Sequence, residues 1–182
     1  MTEKHWTVLS EDSVFAADPY VTVTKQRVKL PDGVEIPDFY QVYLRHFAIV
    51  VPITDDGQVV FVEGYRHGSR SVELSFPGGF LEPNAPAETA VARELLEETG
   101  YACRELKELG TTFDNGNQRG CQGTFFVGVG AHKIGDTALD VTEDFTCREV
   151  SVSDIDDLLR RGQMKMAHSV VGLAHARLHI EI

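Results

Sequence analysis

The chain has 182 residues, about the size of one domain, and its 42% hydrophobic and 9% aromatic content is enough to fill a sizeable core. Its 17 basic and 28 acidic residues leave a net charge of −11, a field that repels polyanions and excludes a nucleic-acid-coating role. The start, MTEKHWTVLSED, has no basic region followed by an apolar run, and no stretch reaches the ~18 apolar residues of a membrane span, so the expectation is a soluble, cytoplasmic protein.

Residues 20–30, YVTVTKQRVKL, alternate in character and are rich in β-branched side chains; Pro31-Asp32-Gly33 marks a turn, and 39–45, FYQVYLR, resumes the strand pattern. An antiparallel hairpin or small sheet is therefore expected, making residues 1–45 an N-terminal β unit. The run FAIVVPI, the turn Asp55-Asp56-Gly57 and VVFVEGYR read as a second hairpin, with the core sheet starting near His46. A helix is predicted over 85–99, with Asn84 or Ala85 as N-cap, Pro86 in the first turn, where its missing N–H is not needed, and Gly100 as the stop. Strands follow around 104–113, 123–131 and 146–152. Ser153 with Asp156 then looks like a capping box opening a helix that Gly162 closes, and a last helix covers 168–179. Only one helix interrupts the strands before residue 150, which predicts an α+β sandwich with a mixed sheet rather than a doubly wound parallel one. Cys103, Cys121 and Cys147 are odd in number and form no CxxC pair, so buried reduced thiols are expected, without a disulfide framework or structural zinc.

The most informative segment is 77–101, PGGFLEPNAPAETAVARELLEETGY. On a helix, Glu94, Glu97 and Glu98 share an arc about 100° wide, because they are related by three and four residues. Taken alone, RELLEE is an ordinary solvated helix sequence. Three like charges crowded together are unfavourable unless water screens them or cations bind, and hard divalent ions, magnesium above all, suit an all-oxygen donor set. Arg93 lies four residues before Glu97 and can pair with it, leaving Glu94 and Glu98 more available. Pro77-Gly78-Gly79, low in side-chain bulk, lets a backbone carbonyl approach an ion.

This segment resembles the Nudix box, G-x(5)-E-x(7)-R-E-U-x-E-E-x-G-U, with Gly79, Arg93, Glu94, Leu95, Glu97, Glu98, Gly100 and Tyr101 in register and Ala85 where the first glutamate should stand. The preceding GYRHGSRSVELSFPGGFLEP, with Arg66 and Glu73, is similar to the same stretch in ADP-ribose and other nucleoside diphosphate sugar pyrophosphatases. The resemblance covers most of residues 20–178. It implies a Nudix-type α/β/α sandwich over 46–182 preceded by the small antiparallel unit. It also implies a metal site in which Glu94 and Glu98 are ligands, Glu97 is a ligand or a support held by Arg93, and the Gly78 carbonyl completes the shell. Magnesium, or manganese in its place, is the implied cofactor. The family glutamate missing at Ala85 is supporting rather than a principal ligand; Glu82 and Glu88 are both candidates to replace it.

Hydrolysis of a diphosphate needs its charge neutralised and a water aligned. Arg66 is the first candidate for a phosphate contact and Arg70 the weaker one, for which a plain surface arginine is the better reading; His67 is a candidate to assist, although a lone histidine is more often structural or exposed. For the general base, ALDVTEDFTCREV offers Asp140, Glu143 and Asp144. Glu143 aligns best with the acidic residue of a Glu-Asp-apolar motif in the resembling enzymes; a plain acidic loop is the competing reading. Residues 114–123 can shape a substrate pocket or simply connect two strands. Trp6, Tyr20 and Phe39 are candidates to stack on a base, although strand aromatics usually fill a core.

The expected activity is hydrolysis of nucleoside diphosphate sugars, ADP-ribose first, giving AMP and ribose 5-phosphate. The resemblance further implies a homodimer formed through the N-terminal unit. A nucleoside triphosphate or dinucleoside polyphosphate pyrophosphatase is the alternative within the same chemistry, disfavoured by the extra N-terminal strands. A Nudix-fold ligand sensor without hydrolysis is the alternative prompted by Ala85; the retained carboxylate arc speaks against it.

Overall fold

The computed structural model describes residues 4–180 and divides into two compact units, one holding the chain up to His46 together with Phe113–Gln122, the other Phe47–Thr112 and the chain from Gly123 onward. In the first unit β1 (Thr7–Ala17), β2 (Val21–Lys29) and β3 (Glu35–Leu44) form an antiparallel sheet in that order. At the β2–β3 turn the Asp32 side chain accepts the Val34 N–H at 3.1 Å, the local bond that makes Asp a turn residue. Strand β1 has no counterpart among the predicted strands. Its pairing with β2 shifts register between Val8 and Ser10 and between Ser13 and Phe15, so its side chains do not keep the strict alternation by which strands are read. The segment 113–122 closes on β3 through Gly120 N–H to the Val42 carbonyl at 2.6 Å and Leu44 N–H to the Gly120 carbonyl at 2.9 Å.

The second unit is an eight-stranded mixed sheet. Its strands are β4 (Phe47–Thr54), β5 (Gln58–Arg66), β6 (Ser71–Ser75), β7 (Gly78–Phe80), then after helix α1 (Ala87–Thr99) β8 (Tyr101–Ala102), β9 (Glu105–Phe113), β10 (Gln122–Lys133) and β11 (Phe145–Ser151). The path runs β11-β5-β4-β10-β8, with β6 on β5, β7 on β4 and β9 on β10. The β4–β10 pair is parallel, from Phe47 opposite Gly123 onward, whereas β5 pairs antiparallel with β4, β6 and β11. The short strands β6, β7 and β8 were not among the predicted elements.

Both faces of this sheet are covered, and the period of two along β4 shows how. Ala48 and Val50 join Val60, Phe126, and Val91 and Leu95 of α1 in one core, while Ile49 and Val51 join Phe61, Phe76, Phe125 and Leu173 in the other. The second core is closed by α2 (Ile155–Arg160) and α3 (Ala167–Ala176), which contribute Ile155, Leu158, Leu173 and Ala176. The result is the α/β/α sandwich with a mixed sheet and a small antiparallel sheet before it.

Helix ends differ from expectation in detail. Pro86, with extended backbone and no side-chain cap, is the N-cap of α1, so the helix opens at Ala87 rather than at 85. Ser153 lies inside a 3-10 turn, Val152–Asp154, where its hydroxyl bonds Ser151 and Asp154 instead of capping α2. The last helix ends at Ala176. The three cysteines are free, with Cys121 buried and the other two half-buried. No helix among the described residues is long and apolar enough to cross a membrane.

Candidate active site

Helix α1 buries Val91, Leu95, Glu98 and Thr99, a stripe spaced by four, three and one residues. A glutamate thus occupies a core position, and the three carboxylates of the arc grade inward. The side chain of Glu97 is 38% exposed, that of Glu94 is 15% exposed, and Glu98 is 2% exposed. Glu98 Oε2 accepts the Gly78 N–H at 2.9 Å. Arg93 donates to Glu94 Oε1 and to Glu97 Oε2, each at 2.6 Å, so one guanidinium ties the two outer carboxylates together. Gly79 leaves the room for this: a Cβ there would stand 2.5 Å from the Glu94 carboxyl carbon.

Burial pushes the Glu98 carboxyl up to about 8; the Gly78 N–H and the charge of Arg66 pull it down, and the charges of Glu94 and Glu143 add to the rise. Glu94 is also raised, by burial first and then by Glu97 and Glu143, against the pull of Arg93. Glu143 therefore shares an electrostatic field with both box carboxylates. It is half-buried, whereas Asp140 and Asp144 are exposed. Its Oε2 accepts the Asp140 N–H at 3.0 Å.

The segment leading to Glu143 hangs from the end of α1. Ile134 and Gly135 donate to the Gly100 carbonyl at 2.9 and 3.2 Å, and Ala138 donates to the Glu97 carbonyl at 2.8 Å. Gly100 is required twice over. It has the left-handed φ of 76° that stops the helix, and a Cβ on it would collide with the Gly135 carbonyl oxygen.

Arg66, the last residue of β5, donates from Nη2 to Ser75 Oγ at 2.9 Å, and its Cζ lies 4.3 Å from the centroid of the Phe145 ring. Its Nε is buried without a hydrogen-bond partner. Arg70 is exposed on the turn after β5 with φ 54°. His67 is exposed, its Nδ1 3.4 Å from the Tyr65 hydroxyl. Glu73 is buried beside Ser71, with Lys165 Nζ at 4.0 Å. Sequence reasoning missed Ser75 and Phe145. The only signal was that Phe145 fills the apolar place of the Glu-Asp-apolar motif.

The N-terminal unit has a cavity of its own, of about 820 Å3. Trp6 and Phe39, in edge contact at 5.3 Å, line it together with Tyr43, Glu11 and the 115–120 stretch. Segment 113–122 is thus both the β9–β10 connection and a cavity wall. Glu11 Oε1 accepts Tyr43 Oη and Thr24 Oγ1 at 2.7 Å and Gln26 Nε2 at 3.1 Å, bonds that hold its carboxyl below the usual range. Tyr20 is exposed and is not part of this lining.

The NUDIX domain profile matches residues 44–170, most of the chain and the whole of the box. The chain belongs to the Nudix family. It is 34% identical over 83 residues to the methanol dehydrogenase activator of Bacillus methanolicus, a match covering 43% of this chain and 45% of that one. It is 33% identical over 60 residues to the ADP-ribose pyrophosphatase of Bacillus subtilis (strain 168), covering 33% and 32%. The chain thus spans less than half the length of these two relatives. A solved ADP compounds hydrolase shares the fold with a TM-score of 0.82 at 22% identity, over 95% of this chain and 92% of that one.

Nudix hydrolases generally need a divalent cation, and the donors of this Nudix box fit one. Glu98 is a buried carboxylate whose hydrogen-bond partner is a peptide N–H rather than a cationic side chain, and Glu94 and Glu143 add like charge. Among the described residues no three His, Cys, Asp or Glu side chains converge as a ready-made cage. Glu94 and Glu97 turn to Arg93, and Glu143 turns to Asp140. A few carboxylates completed by water and phosphate oxygens are what a small hard cation takes.

Proposed function

We propose that this protein hydrolyses the diphosphate bridge of nucleoside diphosphate sugars, with ADP-ribose preferred and AMP and ribose 5-phosphate as products. The carrying observation is the buried Glu98 carboxylate held on the Gly78 N–H, with the half-buried Glu94 and Glu143 adding like charge to it and Arg66 opposing them. The names of the Bacillus subtilis relative and of the solved hydrolase support the substrate class.

In this reading Glu94, Glu98 and the Gly78 carbonyl hold a divalent cation, magnesium or manganese, with Glu97 as a further ligand or a support held by Arg93. When bound, the cation supplies Lewis acidity to the diphosphate and acidifies the attacking water. Arg66 offers a phosphate oxygen the N–H donors that Ser75 leaves free, and Arg70 is at most an outlying contact. Glu143 takes the proton of the attacking water, with Asp140 and Asp144 as its rivals.

Residues 1–45 serve as a dimerisation unit and 46–182 as the hydrolase domain of a homodimer that works in the cytoplasm. Val8, Val14 and Phe15 are exposed on β1, an edge strand of the kind that recruits a partner. Three free cysteines suit a reducing compartment.

The test is a hydrolysis screen over ADP-ribose, GDP-mannose, UDP-glucose and nucleoside triphosphates, with and without magnesium or manganese. AMP released from ADP-ribose only with a divalent cation is expected. Preference for triphosphates or dinucleoside polyphosphates would move the assignment to that class. Tight binding of ADP-ribose without turnover of any compound would establish the sensor reading, which Ala85 favours.

A further inference from the structure

Strand β11 begins with Phe145, two residues after Glu143, and Phe145 pairs with Gly64 across the β5–β11 ladder. A Cβ at Gly64 would collide with the Phe145 ring and stand 2.6 Å from the Asp144 carbonyl oxygen. Glycine at 64 therefore lets the ring lie down over the β5 backbone. Arg66 is two residues further along the same strand and so points to the same face. The Arg66 Cζ lies over this ring, 4.3 Å from its centroid, while Nη2 donates to Ser75 Oγ.

Stacking uses the flat face of a guanidinium and leaves its edge, where all five N–H donors lie, free for an anion. One donor is spent on Ser75, and buried Nε lacks an acceptor in the protein, a state that an incoming oxygen would relieve. Three residues from three strands thus set the plane of one arginine. The same ring is also the near anchor of the Glu143 segment, whose far anchor is the end of α1 at Gly100 and Glu97.

We propose that Phe145 is a positioning residue: stacked on Arg66 and seated on Gly64, its ring fixes the plane of the phosphate-binding guanidinium and the place of Glu143 in one packing contact. This rests on the roles given above to Arg66 and Glu143. Phe145 itself touches no reacting atom.

The experiment compares Phe145→Leu, Phe145→Met and Phe145→Tyr, each alone and combined with Arg66→Ala. The readouts are kcat and KM for ADP-ribose at saturating magnesium, and affinity for ADP-ribose with the divalent cation withheld. Leu and Met, which remove the ring, should lower kcat/KM by ~10-fold and weaken metal-free binding, while Tyr, which keeps it, should stay within ~3-fold of the parent. In the Arg66→Ala background the same substitutions should no longer weaken metal-free binding, since no guanidinium remains to be oriented. Met is unbranched and adapts its rotamer to fill the gap that Leu leaves, so a folding defect in Leu leaves the test intact. Parental behaviour of Leu and Met beside an impaired Arg66→Ala overturns the inference alone. So does an effect of the same size with and without Arg66, which marks Phe145 as merely structural. Full activity in both Arg66→Ala and Glu143→Gln overturns the reading of the site, and the inference falls with it.

Discussion

The carboxylate of Glu98 accepts the peptide N–H of Gly78 at 2.9 Å, joining the last turn of α1 to the strand β7 that precedes the helix in the chain. Glu98 shares the buried stripe of Val91 and Leu95. A carboxyl group retained at such a place, where an apolar residue would pack without cost, marks a functional demand rather than a stabilising one.

Glu98→Gln should lower turnover by about 10³-fold, roughly 4 kcal/mol of transition-state stabilisation, because the proposed cation ligand loses its charge. The amide keeps the shape and can still accept the Gly78 N–H, so the fold should persist. Turnover measured beside a thermal melt decides the matter. Parental activity in a folded variant would place the cation elsewhere.

The metal-free protein should lose stability as pH rises through the window in which Glu98 titrates. Its folded value of about 8 lies above the ordinary 4.5, so between those values the folded state binds more protons than the unfolded one. The contribution is fully present below 4.5 and is lost as pH rises through about 8. In the proposed site magnesium competes with that proton, so the rise in Tm on adding magnesium chloride should be larger at pH 8.5 than at pH 6. An equal rise at both pH values would dissociate Glu98 from the cation.

Glu143→Gln should lower kcat by ~10²–10⁴-fold with little change in affinity for ADP-ribose, the range for losing a general base. Asp140→Asn and Asp144→Asn serve as controls, because both side chains are exposed and Glu143 alone of the three is half-buried. Saturating magnesium keeps weakened cation binding from mimicking a lost base. A large drop in either control but not in Glu143→Gln would transfer the role to that neighbour. No drop in any of the three would mean that the reaction needs no base from this loop.

Removal of residues 1–45 should leave an inactive, poorly soluble remainder. Segment 113–122 would lose Val42 and Leu44, the β3 residues to which Gly120 is bonded, and with them its fold. Sedimentation of the full chain should show a dimer. A stable, active monomer after truncation would show that the N-terminal strands are dispensable.

Much of the site could be read directly from the chain because helix periodicity and helix stops are local. The arc of Glu94, Glu97 and Glu98 follows from spacing alone, and Gly100 ends the helix because only a residue tolerant of a left-handed φ can stand there. The mixed α+β layering likewise followed from the order of strand and helix patterns. Periodicity treats the three glutamates alike, however, and it was packing of α1 against the sheet that buried Glu98, half-buried Glu94 and left Glu97 to Arg93. Strand β1, with its two register shifts, and the three-residue strand β7 carry too little repeating pattern to be seen without their partners. The meeting of Arg66, Ser75 and Phe145 was decided only by the tertiary structure. Arg66 and Ser75 meet across the local β5–β6 hairpin, but Phe145 reaches Arg66 only because β11 pairs with β5 from far along the chain, and no local window of the sequence contains that long-range pairing.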